Sequence, residues 1–187
     1  MSQIDADQLN AMYCRGTPQS EINRYTVISQ MSNIVASHAG QSNDNLRNAI
    51  MNFMMRTYPN YNFLVNVYNV VSDYSAQSFI GQCAHIFNSH NKNFVVCYAK
   101  KTSRVPSLST QSHIVSAALA SITNKNCDAS WATNTARNRA ISFGYPIAGI
   151  LVVRFGASLR TSWNGPSYMR HYKCSNNVDS NFVIMFG

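Results

Sequence analysis

The chain has 187 residues, 45% hydrophobic and 11% aromatic, with only 12% charged. That composition excludes a disordered polyelectrolyte and predicts one large or two small folded domains. The net charge of +8 arises from 15 Lys and Arg against 7 acids, so the balance favours anionic partners through scarcity of acids and not through basic runs.

The N-terminal arm, residues 1–20, opens with MSQIDADQLN, which lacks the basic start and apolar core of a secretory leader. No stretch nears the roughly 20 apolar residues of a membrane span. The cysteines, Cys14, Cys83, Cys97, Cys127 and Cys174, are odd in number and show no CxxC spacing, which argues against a disulfide framework or a zinc knuckle. These features lead to the expectation of a reduced, intracellular, cytoplasmic protein; removal of an upstream leader would leave secretion open.

After the arm, Ile28, Met31, Val35 and His38 recur at helical steps and predict a half-buried helix. Leu46, Ile50, Phe53 and Thr57 predict a second, with cap candidates at Ser42 to Asp44. Pro59 ends it, because proline disfavours helical geometry in the residue before it. Three strands are read next, over Phe63–Val71, within Phe79–Ser89 and over Phe94–Tyr98. KKTSRVPSLS, residues 100–109, is polar, contains Pro106 and reads as a linker. Helices near Ile114–Ile122 and Trp131–Ser142 follow, then Pro146, then strands near Gly149–Phe155, Met169–Cys174 and Phe182–Phe186.

The two series match. NFVVCYA at Asn93 returns as NFVIMFG at Asn181, pairing Phe94 with Phe182 and Val96 with Ile184. YPNYNFLVNVYNV at Tyr58 aligns with YPIAGILVVRFGA at Tyr145, and RYTVISQMSNIV at Arg24 with SHIVSAALASIT at Ser112. Three blocks in one order at nearly one offset predict an internal duplication, with a first unit over 21–99 and a second over 110–187. The expected class is α+β, built of two related helix-helix-strand-strand-strand repeats, with an antiparallel sheet carrying helices on one face. In the last strand Phe182, Ile184 and Phe186 alternate with Val183 and Met185. Both faces are apolar, so these five residues are read as an interface joining repeats or subunits.

VISQMSNIV on the first helix, YPNYNFLVNVYNVV at the helix-to-strand junction and the closing NFVIMFG together resemble the dynein light chains. The likeness is chiefly to the Tctex type and more loosely to the other small α+β light chain. The resemblance implies that two such units pair as a dimer that binds extended peptides along sheet edges. A tandem duplication would fold that dimer into one chain.

Chemistry-bearing residues are sparse. The aspartates are single residues in the arm or in expected loops, where caps and turns use them. Cys83 with His85, and His171 with Cys174, are the candidates for an imidazole-activated thiolate. Cysteine is also an ordinary small core residue, and no nucleophile elbow accompanies either pair. No GxGxxG or GxxxxGK cradle occurs. Arg154, Arg160, Arg170 and Lys173 form a candidate anion-binding set, with Trp163, Tyr168 and Tyr172 interleaved for base stacking. The leading expectation is therefore a non-enzymatic, basic binding or self-assembling structural protein without cofactor or metal, whose partner is itself or another protein. A polyanion or single-stranded nucleic-acid binder and a small Cys–His enzyme are the alternatives.

Overall fold

Among the described residues, apolar spacing, caps and breakers place four helices. The computed structural model describes residues 22–69, 74–79, 82–101, 105–123, 129–145, 147–154, 160–173 and 179–186; the 1–20 arm lies outside the described residues. Helix α1 (Arg24–Ser37) starts where the Asn23 side chain accepts from the N–H groups of Tyr25 and Thr26, and it buries Val27, Met31, Ile34 and Val35. Helix α2 (Asn43–Thr57) starts at Ser42, whose hydroxyl accepts from Asn45 N–H, and it buries Leu46, Ile50, Met51 and Met54. Both caps satisfy otherwise orphaned first-turn donors. Helices α3 (Leu108–Thr123) and α4 (Ala129–Ser142) form the second pair. Gly144, at a φ of 77°, follows α4, and Tyr145 N–H reaches back to the Ala140 carbonyl. Left-handed backbone of this kind closes a helix and favours glycine.

Among the described residues each helix pair is followed by four strands. These are β1 (Tyr61–Tyr68), β2 (Tyr74–Phe79), β3 (Gln82–Ser89) and β4 (Lys92–Lys100) in the first half. The second half has β5 (Ile147–Arg154), β6 (Arg160–Trp163), β7 (Ser167–Lys173) and β8 (Asp179–Phe186). The fold is α+β, and its strands form two antiparallel four-stranded sheets, ordered β3-β4-β1-β6 and β2-β5-β8-β7. Each sheet therefore contains one strand from the other half. Strand β6 pairs with β1, Leu64 opposite Trp163 and Val67 opposite Arg160; β2 pairs with β5, Phe79 opposite Gly149. These two exchanged strands are absent from the sequence reading, which finds three strands in each half.

Helices α1 and α2 lie on the first sheet, and α3 and α4 on the second. On β1, Phe63, Val65 and Val67 join the core under α1 and α2 with Phe94, Val96 and Tyr98 of β4. Every β1 residue is nevertheless buried, so the opposite face, with Asn62, Leu64, Asn66 and Tyr68, is covered as well. The crossovers show how. Only Asn164–Pro166 separate Trp163 in the first sheet from Ser167 in the second, a reach of at most about 14 Å. Stacked sheets lie about 10 Å apart. The link is long enough to pass from one layer to another, with α1 and α2 on the first sheet and α3 and α4 on the second.

The crossover is tightly built. Asn164 N–H donates to the Phe63 carbonyl, and the Asn164 side-chain Oδ1 accepts from Phe63 N–H. The ladder therefore runs one residue past the end of β6. Phe186 N–H donates to Pro166 C=O at 2.8 Å, which starts the β7–β8 ladder. Between them stands Gly165, where an added Cβ would lie 2.8 Å from Trp163 Nε1 and 2.9 Å from Asn62 Nδ2. Only glycine fits without moving those groups.

Candidate functional site

Cys83 on β3 and Cys97 on β4 stand opposite one another and form a disulfide, with their Cα atoms 4.1 Å apart. This corrects the expectation drawn from cysteine count and spacing, since pairing register brings together residues that no local motif marks. It also removes Cys83 as a nucleophile, because its sulfur is already bonded. His85 shares the Cys83 face as expected and is buried. His171 is exposed on β7, and Cys174 lies outside the described residues. Among the described residues no three His, Cys, Asp or Glu side chains gather where they could hold a metal ion.

The anion-binding candidates are dispersed. Arg160 sits on β6 in the first sheet and reaches Asp44 at 3.4 Å. Arg170, on β7 in the second sheet, donates to Ser116 Oγ at 2.9 Å. Lys173 is exposed and by strand alternation points to the opposite face from Arg170. Arg154 ends β5, and its side chain lies outside the described residues. Tyr168 packs against the core under α3 and α4, and Trp163 is half-buried, its Nε1–H donating to the Pro166 carbonyl.

The proposed joint residues lie in β8, a central strand of the second sheet. Phe182, Ile184 and Phe186 are fully buried with Ile114, Val115 and Ala118 of α3 and with Ala132, Ala136 and Ala140 of α4. Met185 is fully buried on the other face, and Val183 is half-buried. The ladders that cross between the halves are made by β2 and β6.

Strand β6 is the feature with chemistry to spare. In antiparallel pairs, residues alternate between exchanging both backbone hydrogen bonds with the partner strand and directing them away from it. Asn164 bonds Phe63, so by alternation Ser162 bonds Val65 and Arg160 bonds Val67. The N–H and C=O groups of Thr161 and Trp163 then point away from β1. Among the described residues no strand pairs with β6 on that side. The edge is flanked by α2. Asp44, Arg47, Met51 and Met55 lie on one side of that helix, at three- and four-residue steps. Arg47 Nη1 reaches over the edge to the Thr161 carbonyl at 3.4 Å, and it also meets Asp44 Oδ1 at 3.2 Å. Asp44 thus lies between two guanidinium groups, at 3.2 and 3.4 Å. Met55, farther along, is 42% exposed. The outer edge of β6 thus runs beside the flank of α2, with Asp44, Arg47 and Arg160 in contact there.

A separate cavity of about 340 Å³ opens between the end of α1 and the β3–β4 turn. Its apolar lining, Val35, Leu46 and Phe94, is already at most 2% exposed. Lys92 at its rim donates to the Gln41 carbonyl at 3.0 Å. It offers a ligand little apolar surface.

No known protein family, curated protein or solved structure matches this chain. The alternation that exposes Thr161 and Trp163 depends on the pairing of β6 with a strand more than ninety residues away. The sequence RTSW carries no local sign of it.

Proposed function

We propose that the chain is a non-enzymatic binding protein whose working surface is the outer edge of β6, where an extended segment of a partner protein joins the sheet as a further strand. The observation that carries this reading is the outward direction of the Thr161 and Trp163 backbone groups beside the flank of α2. A strand edge whose backbone groups face away from its own sheet is a template for strand addition, in which main-chain hydrogen bonds supply affinity and neighbouring side chains supply selectivity. The reciprocal exchange of β2 and β6 supports the reading further. It joins two like-ordered halves as a pair within one chain, the arrangement that the light-chain resemblance implies for a tandem duplication.

Amide hydrogen exchange tests the proposal. Peptides selected from a random twelve-residue display library against the full chain should slow exchange at Thr161 and Trp163, while Ser162, already bonded to β1, should change little. Peptides that bind while leaving both amides unprotected would overturn it. Light scattering distinguishes the self-assembly form of the same reading, in which a second copy occupies the edge and the mass exceeds the 20.9 kDa of one chain.

A further inference from the structure

We propose that Asn164 is a self-modification site. When its clasp on Phe63 opens, the Gly165 backbone nitrogen closes on the Asn164 side chain, and the isoaspartyl product keeps β6 from clasping again. This holds whether or not β6 takes up a further strand, because it concerns how β6 is held and not what lies along its outer edge.

Asn164 and Gly165 form the one Asn-Gly pair in the sequence. Glycine has no Cβ to screen its backbone nitrogen, so that nitrogen can attack the side-chain amide one residue back. Both residues are half-buried, within reach of water. The Gly165 N–H makes no hydrogen bond among the described residues, so solvent base can remove its proton. The freed electron pair forms a bond to Asn164 Cγ, the Cγ–Nδ2 bond breaks, and Nδ2 leaves as ammonia after taking a proton from water. The resulting cyclic imide takes up one water. Opening at Cγ gives aspartate; opening at the main-chain carbonyl gives isoaspartate, in which the chain runs through Cβ and Cγ.

In the folded chain Phe63 restrains this chemistry. Asn164 N–H donates to the Phe63 carbonyl at 3.3 Å, and Asn164 Oδ1 accepts from the Phe63 N–H. The side-chain carbonyl thus takes the place that a main-chain carbonyl holds elsewhere in a ladder. Ring closure must carry Cγ to within bonding distance of the Gly165 nitrogen, while both bonds to Phe63 pin Asn164. The reaction therefore belongs to the open state. Isoaspartate makes the opening permanent. The carbonyl that Phe63 used becomes a main-chain amide tied to Gly165, and the link to β7 gains one atom. Gly165 has no slack to take it up: a single added Cβ would lie 2.8 Å from Trp163 Nε1 and 2.9 Å from Asn62 Nδ2. Aspartate, by contrast, keeps a side-chain oxygen for the Phe63 N–H.

Peptide mapping of the full chain, aged at mildly alkaline pH with and without unfolding urea, reads the conversion of Asn164. The native chain should convert at least about tenfold more slowly than the unfolded one, since opening must break two hydrogen bonds of ordinary strength. Ser162→Pro removes a β6 donor to β1 and leaves Asn164 and Gly165 in place. It should speed conversion in native buffer toward the unfolded rate, with circular dichroism showing that the helices remain. Equal rates in the native and unfolded chains, an Asn164 that stays unconverted in urea, or a folded Ser162→Pro chain that converts no faster than the parent would overturn the proposal. The first two results can be read even if Ser162→Pro fails to fold. The isoaspartyl chain, purified after refolding, should exchange its Phe63 amide at least about tenfold faster than the parent, while Asn164→Asp should retain the parent's protection. Parent-like protection of Phe63 in the isoaspartyl chain would refute the one-way step.

Discussion

Replacing Asn164 by alanine should loosen the exchanged strand without touching any core side chain. In the native structure the Asn164 Oδ1 accepts from the N–H of Phe63, a residue with no exposed surface. Alanine keeps the backbone bond from Asn164 N–H to the Phe63 carbonyl but leaves the Phe63 donor unmet. An unsatisfied buried donor costs about 1–3 kcal/mol. Because Asn164 is only half-buried, water can reach part of the space, and the lower half of that range applies. For an unfolding slope of about 2 kcal/mol per molar urea, the midpoint should fall by roughly 0.5–1 M with the slope unchanged. Amide exchange at Phe63 should accelerate more than at Val95 in β4, because the lesion is local. An unchanged midpoint with undiminished Phe63 protection would show that the side chain does not hold β6, and the account of the crossover would be wrong.

Three further outcomes follow from the same structure. Ile184→Ala should cost about 2–5 kcal/mol as a cavity in the core beneath α3 and α4, and Met185→Asp should destabilise by placing an unpaired charge on the fully buried opposite face; denaturant titration of a folded, unaffected Met185→Asp chain would show that face to be open. Burial pushes the Tyr98 phenol well above its ordinary range, with the Arg24 charge opposing in part. The neutral phenol therefore contributes stability that is intact below the unfolded value of about 10 and declines as pH rises past it. Tyr98→Phe should be near neutral at pH 7, since its hydroxyl makes no hydrogen bond among the described residues, and should flatten the alkaline limb of a stability–pH curve. Non-reducing peptide mapping should recover the fragments containing Cys83 and Cys97 joined, and Cys83→Ser with Cys97→Ser should lower the urea midpoint; separate fragments from protein purified without reductant would contradict the pairing.

Much of the fold was legible because it is written locally. Val27, Met31 and Ile34 recur at helical steps, Ser42 caps, and Pro59 follows α2 by two residues. The apolar runs of β1, β4 and β8 mark strands that become fully or largely buried. The disulfide was hidden by register. His90 and Asn91, both at positive φ, form the turn between β3 and β4, and counting back from Ser89 opposite Lys92 would set Cys83 against Tyr98. A bulge between Ile86 and Ser89 shifts the pairing by one and brings Cys83 to Cys97. One extra residue in a strand is enough to defeat such counting. The meeting of β6 with α2 was hidden for a related reason: Asp44, Arg47 and Arg160 are ordinary surface residues until β6 is placed beside α2.

The strands that escaped the sequence reading, YSAQSF and RTSW, are the two that cross between halves, and the coincidence has a physical basis. A short, polar segment gains little from its own alternation, so its conformation is set by the strand it pairs with. For β6 the stabilising contacts are external: the ladder to β1, the Asn164 clasp on Phe63, and the Arg160–Asp44–Arg47 contacts to α2. Those same contacts set the edge of β6 beside α2, a strand from the second half against a helix from the first. Neither half alone would present it. Residues 22–101 by themselves would leave the β6-facing edge of the fully buried strand β1 unpaired, which is a template for aggregation and not for selective binding. Assembly of the halves and formation of this edge are therefore one event, and under the strand-addition proposal a substitution that releases β6 should abolish peptide binding before it unfolds either helix pair.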